Sequence, residues 1–155
     1  MQEKTDDIKK IQTALWGMYK DFMSHGSKDL YQKQVLDLGY SYEGEMKWFC
    51  RNLASAWDPV VELVGQQVKN GTDIGQIHAC IMDIQNTAWA AYREFLEGHK
   101  VPEYTERSAA LVEKYRDNRD MMLFAQTIIL SWVPVINSLA EGFRNGKEKD
   151  TDGNP

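Results

Sequence analysis

Two cysteines, three histidines and four prolines are all that 155 residues contain of these types, and each scarcity removes a class of explanation. Cys50 and Cys80 form no CxxC and, beside so few histidines, offer no zinc framework; two separate thiols fit a reducing cytosol. No Gly-rich phosphate loop, nucleophile elbow or HExxH occurs, so no nucleotide, acyl-transfer or metalloprotease signature can be read. Cations are outnumbered, 18 Lys and Arg against 23 Asp and Glu, for a net charge of −5. A sequence-independent grip on phosphates needs clustered cations, so direct nucleic-acid binding is not expected. The opening MQEKTDDIKK is charged where an export signal carries an apolar run, which points to a cytoplasmic protein.

What the chain does contain is a repetition. IQTALWGMYKDF at 11–22 returns as IQNTAWAAYREF at 84–95. Over the wider windows 8–25 and 81–98, Ile8/Ile81, Ile11/Ile84, Gln12/Gln85, Trp16/Trp89, Tyr19/Tyr92 and Phe22/Phe95 are identical. Lys20/Arg93 and Asp21/Glu94 keep their charge. Further on, 54–71 aligns with 129–146, matching Trp57/Trp132, Pro59/Pro134, Val60/Val135, Asn70/Asn145 and Gly71/Gly146. The offset grows from 73 to 75 between the two blocks, which places two additional residues in copy two, near EGHKVP. Matched Trp, Pro and Asn-Gly in one register point to internal duplication rather than to two generic amphipathic helices.

Each copy reads as a helical hairpin. Ile8, Ile11, Leu15, Met18 and Phe22 recur at the period of a one-sided helix, as do Ile77, Ile81, Ile84, Ala88, Ala91 and Phe95. The return arms carry Met46, Phe49, Leu53, Trp57, Val60 and Val64, mirrored by Met121, Phe124, Ile128, Trp132, Val135 and Leu139. These stripes keep phase through Pro59 and Pro134, so kinks are expected there rather than breaks, with Asp58-Pro59 the weaker of the two. Gly39 and Gly44 mark another weak point in copy one. The expected fold is all-α: an antiparallel four-helix bundle made of two duplicated hairpins related by a pseudo-twofold, with long helices kinked at Pro59 and Pro134. Residues 1–146 form one domain, copy one about 5–71 and copy two about 72–146, and 147–155 read as a polar, disordered tail.

Residues 121–140, MMLFAQTIILSWVPVINSLA, run uncharged for a bilayer-spanning length. The matching stretch of copy one contains Lys47, Arg51, Asp58 and Glu62, and this argues against a membrane span. Lys47, Arg51, Ser55, Asp58 and Glu62 form one outward stripe, and their counterparts are Met122, Gln126, Leu130, Val133 and Asn137. A face charged in one copy and largely apolar in the other calls for a cover: a second copy, another protein, or a neighbouring part of the chain. Those five residues are the candidate interface. A second candidate is a polar and aromatic pocket from Gln12, Trp16, Tyr19, Gln85, Trp89 and Tyr92, because both glutamines fall in apolar sectors. The alternative for that pair is structural, each amide finding a partner inside the fold.

Carboxylates at Glu94/Glu97 and Asp117/Asp120 have the spacing of an all-α nucleotide pyrophosphatase motif. Position 94 should however face about 108, which leaves Asp117 roughly 13 Å further along a helix. No metal, cofactor or catalytic residue is therefore assigned. The leading expectation is a non-enzymatic protein-interaction module, a homodimer or the binder of a protein partner. Its sharper form is a small acidic inhibitor that masks a basic surface of a nucleic-acid enzyme, in the anti-restriction or anti-CRISPR manner. The alternatives are a small-molecule-binding bundle and, less favoured, a metal-dependent nucleotide hydrolase.

Overall fold

The computed structural model describes residues 2–151, with side-chain surroundings to residue 146. The described residues are all-α, in six helices: α1 (Gln2–His25), α2 (Lys28–Tyr40), α3 (Gly44–Lys69), α4 (Gly75–Gly98), α5 (Val101–Lys114) and α6 (Arg119–Thr151). The expected four helices are six because each long return arm is divided. Copy one breaks at residues 41–43, where Gly44 takes the left-handed φ of +61° that favours glycine. Copy two breaks at residues 115–118 with no glycine, and there Asn118 Oδ1 accepts the Met121 amide at the start of α6. The expected tail at 147–155 lies largely outside the described residues; the backbone of α6 is described to Thr151.

Local chemistry sets the other boundaries. Ser27 caps α2 by accepting the Leu30 amide at 3.2 Å. Pro102 sits in the first turn of α5, where its missing N–H costs nothing. Asn70 and Gly71 (φ +74°) end α3, and Asp73 then accepts the Gly75 amide at 3.0 Å at the start of α4. Both long helices pass through their prolines without interruption.

The core is a single cluster that draws on all six helices. α3 and α6 share the most extensive packing; α1 and α2 lie on α3, and α4 and α5 lie on α6. The aromatic contacts come in pairs of the same geometry. Phe49 meets Trp132 edge-on at 4.9 Å and 62°, and Phe124 meets Trp57 at 4.9 Å and 63°. Tyr19 lies 5.0 Å from Trp57, and Tyr92 lies 4.7 Å from Trp132. Phe22 meets Tyr31 at 6.0 Å, and Phe95 meets Tyr104 at 6.2 Å.

The last of these pairings relocates the two additional residues. Tyr31 and Tyr104 keep the offset of 73, so the change to 75 comes after them and not near EGHKVP: α5 has 14 residues against 13 in α2, and the link that follows has four against three.

Candidate functional site

The five residues of the candidate interface do not share one environment. Leu130 is 67% exposed, and Asn137 is also exposed, whereas Met122, Gln126 and Val133 are half-buried. α5 accounts for part of the difference. Val133 and Asn137 face Tyr104, Thr105 and Ser108 of α5 across a cavity of about 120 Å³. α5 thus shields Val133 in part while Asn137 stays exposed, and of the three covers considered for this stripe a neighbouring part of the chain supplies some of it. Leu130 is not under α5. It stands in a furrow between α3 and α6 with Asn52, Ser55, Ala56, Thr127 and Ser131.

By helical spacing, an apolar side chain continues each of the two stripes that line the furrow. Trp48 precedes Asn52 and Ser55 on one stripe of α3, and Leu123 precedes Thr127 and Leu130 on the corresponding stripe of α6. Trp48 is 64% exposed and Leu123 45%. The Arg51 guanidinium lies 5.8 Å from the Trp48 ring. The prolines add a polar element. In a helix the amides of residues 59 and 134 would bond the carbonyls of Ser55 and Leu130, and proline has no amide hydrogen to give. Both carbonyls belong to residues that line the furrow. Ser131 is satisfied beneath it, donating to the carbonyls of Thr127 and Asn52.

The charged stripe of copy one is partly engaged as well. Lys28 of α2 reaches Asp58 at 3.3 Å and Glu62 at 2.7 Å. Desolvation would lower the Lys28 pKa, but the bonds to Glu62 and Asp58 outweigh it and hold the ammonium form above its ordinary value.

The candidate polar and aromatic pocket is packed. Gln12 donates its side-chain amide to Gln85, both buried, so each glutamine is the other's partner. Trp16 stacks on Tyr19 at 5.6 Å, and Trp89 lies 5.2 Å from Tyr92. Five cavities among the described residues are lined by other side chains.

The remaining titratable groups are dispersed. Glu94 pairs with Arg107, which places α4 against α5 as the chain geometry required. Among the described residues no three of His, Cys, Asp and Glu converge on one point. His78 Nδ1 is 3.0 Å from the Tyr19 hydroxyl, and His99 stacks on Phe143 at 3.6 Å. Both cysteines are free, and burial pushes the Cys50 thiol up to about 11, which leaves it a small apolar group at neutral pH.

Sequence reading missed a second concavity. Tyr31, Val35, Leu36, Gly39 and Tyr40 of α2 face Cys50, Arg51, Ala54, Ser55 and Asp58 of α3 across a groove of about 420 Å³. The signal was present, since Tyr31, Val35 and Leu38 recur at helical spacing and Tyr31 matches Tyr104. The spacing does not show that α2 folds back along α3, and without that reversal no groove forms.

With this geometry in place, comparison with known proteins adds no assignment: no family model matches the chain, and no curated protein or solved structure does. α6 has the length and apolar composition to cross a membrane, and 44% of its most apolar window is buried against the rest of the fold.

Proposed function

We propose that this protein is a non-enzymatic interaction module that self-associates through the α3/α6 furrow, working in the cytoplasm. The observation that carries the reading is exposed Leu130 in the furrow, with exposed Trp48 and Leu123 continuing the α3 and α6 stripes that line it. Soluble monomers rarely leave such a patch uncovered. Tryptophan is also among the side chains that most often anchor protein interfaces.

A second copy suits the furrow chemically. The carbonyls freed at Ser55 and Leu130 need donors, and Asn52 and Ser55 of another molecule carry them beside apolar surface of the same kind. An isologous contact of this sort closes on itself as a dimer. The paired aromatic contacts support the accompanying inference that the chain is a duplicated three-helix unit with a pseudo-twofold axis near the furrow, its long helices bending at Pro59 and Pro134.

The test is site-specific photo-crosslinking. A benzoylphenylalanine at position 130 should trap a dimer of the purified protein, and one at exposed Asn86 on α4 should not. Equal yields at both positions, or none at 130, would contradict the reading.

A further inference from the structure

The outward stripe of α3 carries its charges in a fixed order: Lys47 and Arg51, then Ser55, then Asp58 and Glu62. The cations stand eight and four residues before Ser55, and the carboxylates three and seven after it. About Ser55 the pattern is therefore nearly its own mirror image with the sign reversed. Arg51 and Asp58 are roughly 10 Å apart along the helix, and Lys47 and Glu62 roughly 22 Å, too far to pair within one chain. Among the described residues no salt bridge uses Lys47 or Arg51; their charged ends lie over the rings of Tyr40 and Trp48. Asp58 and Glu62 share the single ammonium of Lys28, which leaves that end of the stripe with a surplus negative charge.

This order matters once a second copy lies on the furrow. α3 and α6 run antiparallel, since Phe49 meets Trp132 and Trp57 meets Phe124. Ser55 and Leu130 line the furrow together, at one level along the two helices. A twofold axis through that level can close an isologous contact in two ways. An axis along the helices lays α3 of one copy on α6 of the other. The charges of α3 then face the uncharged stripe of Met122, Gln126, Leu130, Val133 and Asn137, losing water without gaining a counter-charge. An axis across the helices lays α3 on α3, antiparallel, and Leu130 on Leu130. Each cation of one stripe then meets a carboxylate of the other, and Ser55 is small enough at the crossing to let the backbones approach.

From this pattern we infer that the second copy docks through its own α3, antiparallel and centred on Ser55. Arg51 of each molecule pairs with Asp58 of the other, and Lys47 with Glu62. The inference rests on the self-association proposed above and adds its polarity and register.

The experiment is a charge swap read by sedimentation velocity, with one component fluorescently labelled in mixtures. Arg51→Glu sets glutamate against aspartate in its own dimer, and Asp58→Arg sets arginine against arginine. Each variant alone should dimerise at least tenfold more weakly than the native protein while keeping its helicity. Mixed together, the two should form a heterodimer of near-native affinity. The new glutamate of one then faces the new arginine of the other, and the remaining Arg51 and Asp58 face each other. Should Asp58→Arg unseat α2 through Lys28, disulfide trapping decides without any charge reversal. Ser55→Cys should cross-link two copies under mild oxidation, above the level of the native protein. Lys47→Cys, with its equivalents roughly 22 Å apart, should not. A native protein that stays monomeric would overturn the self-association itself, and this inference with it. A native dimer would overturn the register alone on any of three results: folded single variants that dimerise as tightly as the native protein, a mixture no tighter than its components, or Lys47→Cys cross-linking as readily as Ser55→Cys.

Discussion

Gln12 of α1 donates its side-chain amide to Gln85 of α4, the residue 73 positions later that holds the same place in the repeat. Two identical residues meet where the two halves of the chain come together, and each satisfies the other in an apolar setting. Truncating one strands its partner. Gln12→Leu and Gln85→Leu should each destabilise by about 1–3 kcal/mol, and the double variant by less than their sum, because no amide is then left unpaired. A denaturant double-mutant cycle measures this, and strict additivity would show that the bond contributes nothing specific.

The tryptophans separate by location. Trp57 and Trp132 are 2% exposed and each faces an aromatic of the other half, whereas Trp16 and Trp89 are only half-buried and Trp48 points outward. Trp57→Ala should cost about 3–5 kcal/mol, as for other core aromatics, and Trp48→Ala within about 0.5 kcal/mol of nothing. Thermal melts of the two variants check it. A Trp57→Ala melt like that of the native protein would refute the core described above.

Much of this core was legible in sequence, because burial on a helix imposes a period that Ile8, Ile11, Leu15 and Tyr19 display plainly. The break at 41–43 was harder to see. Apolar periodicity in α2 and α3 each looks like part of one arm, and what divides them is a reversal of chain direction, to which hydropathy is blind. α5 is hidden in the sequence for the same reason, and with it the contact it makes on Val133. Leu130 lies between Ile129 and Val133, which face α5, but points instead into the α3/α6 furrow, and which side of α6 α5 occupies is a tertiary fact that no spacing within α6 encodes. The groove at Gly39 was invisible for a similar reason: an absent side chain leaves a space only if its neighbours do not fill it.

The halves of the former interface should now respond differently. Val133 is packed against α5, so Val133→Asp buries a charge and should lower the Tm by several degrees. Leu130→Ser should leave the Tm of the monomer nearly unchanged. Differential scanning calorimetry at low protein concentration distinguishes them, and equal losses would mean that Leu130 too is held within the chain.

Asp83 supplies a pH-dependent term. It accepts from Lys114 at 2.9 Å and from the Tyr115 hydroxyl at 2.5 Å, tying α4 to the end of α5. Partial burial disfavours its charge, yet these donors prevail and hold its pKa below the ordinary aspartate value. A carboxylate with a depressed folded pKa contributes stability above its unfolded pKa, and that contribution disappears as pH falls through the folded value. Asp83→Asn should therefore melt below the native protein at pH 7, with the gap closing in acid below about pH 4. A gap that persisted unchanged to about pH 2 would contradict this role.

Self-association through the furrow is tested most directly by sedimentation velocity across a concentration series. The native protein should pass from monomer to dimer as concentration rises. Leu130→Ser combined with Trp48→Ala should remain monomeric throughout while keeping native helicity and cooperative unfolding. A native protein monomeric at every concentration, or a folded double variant that dimerises as the native protein does, would contradict the assignment of this face to a second copy of the chain.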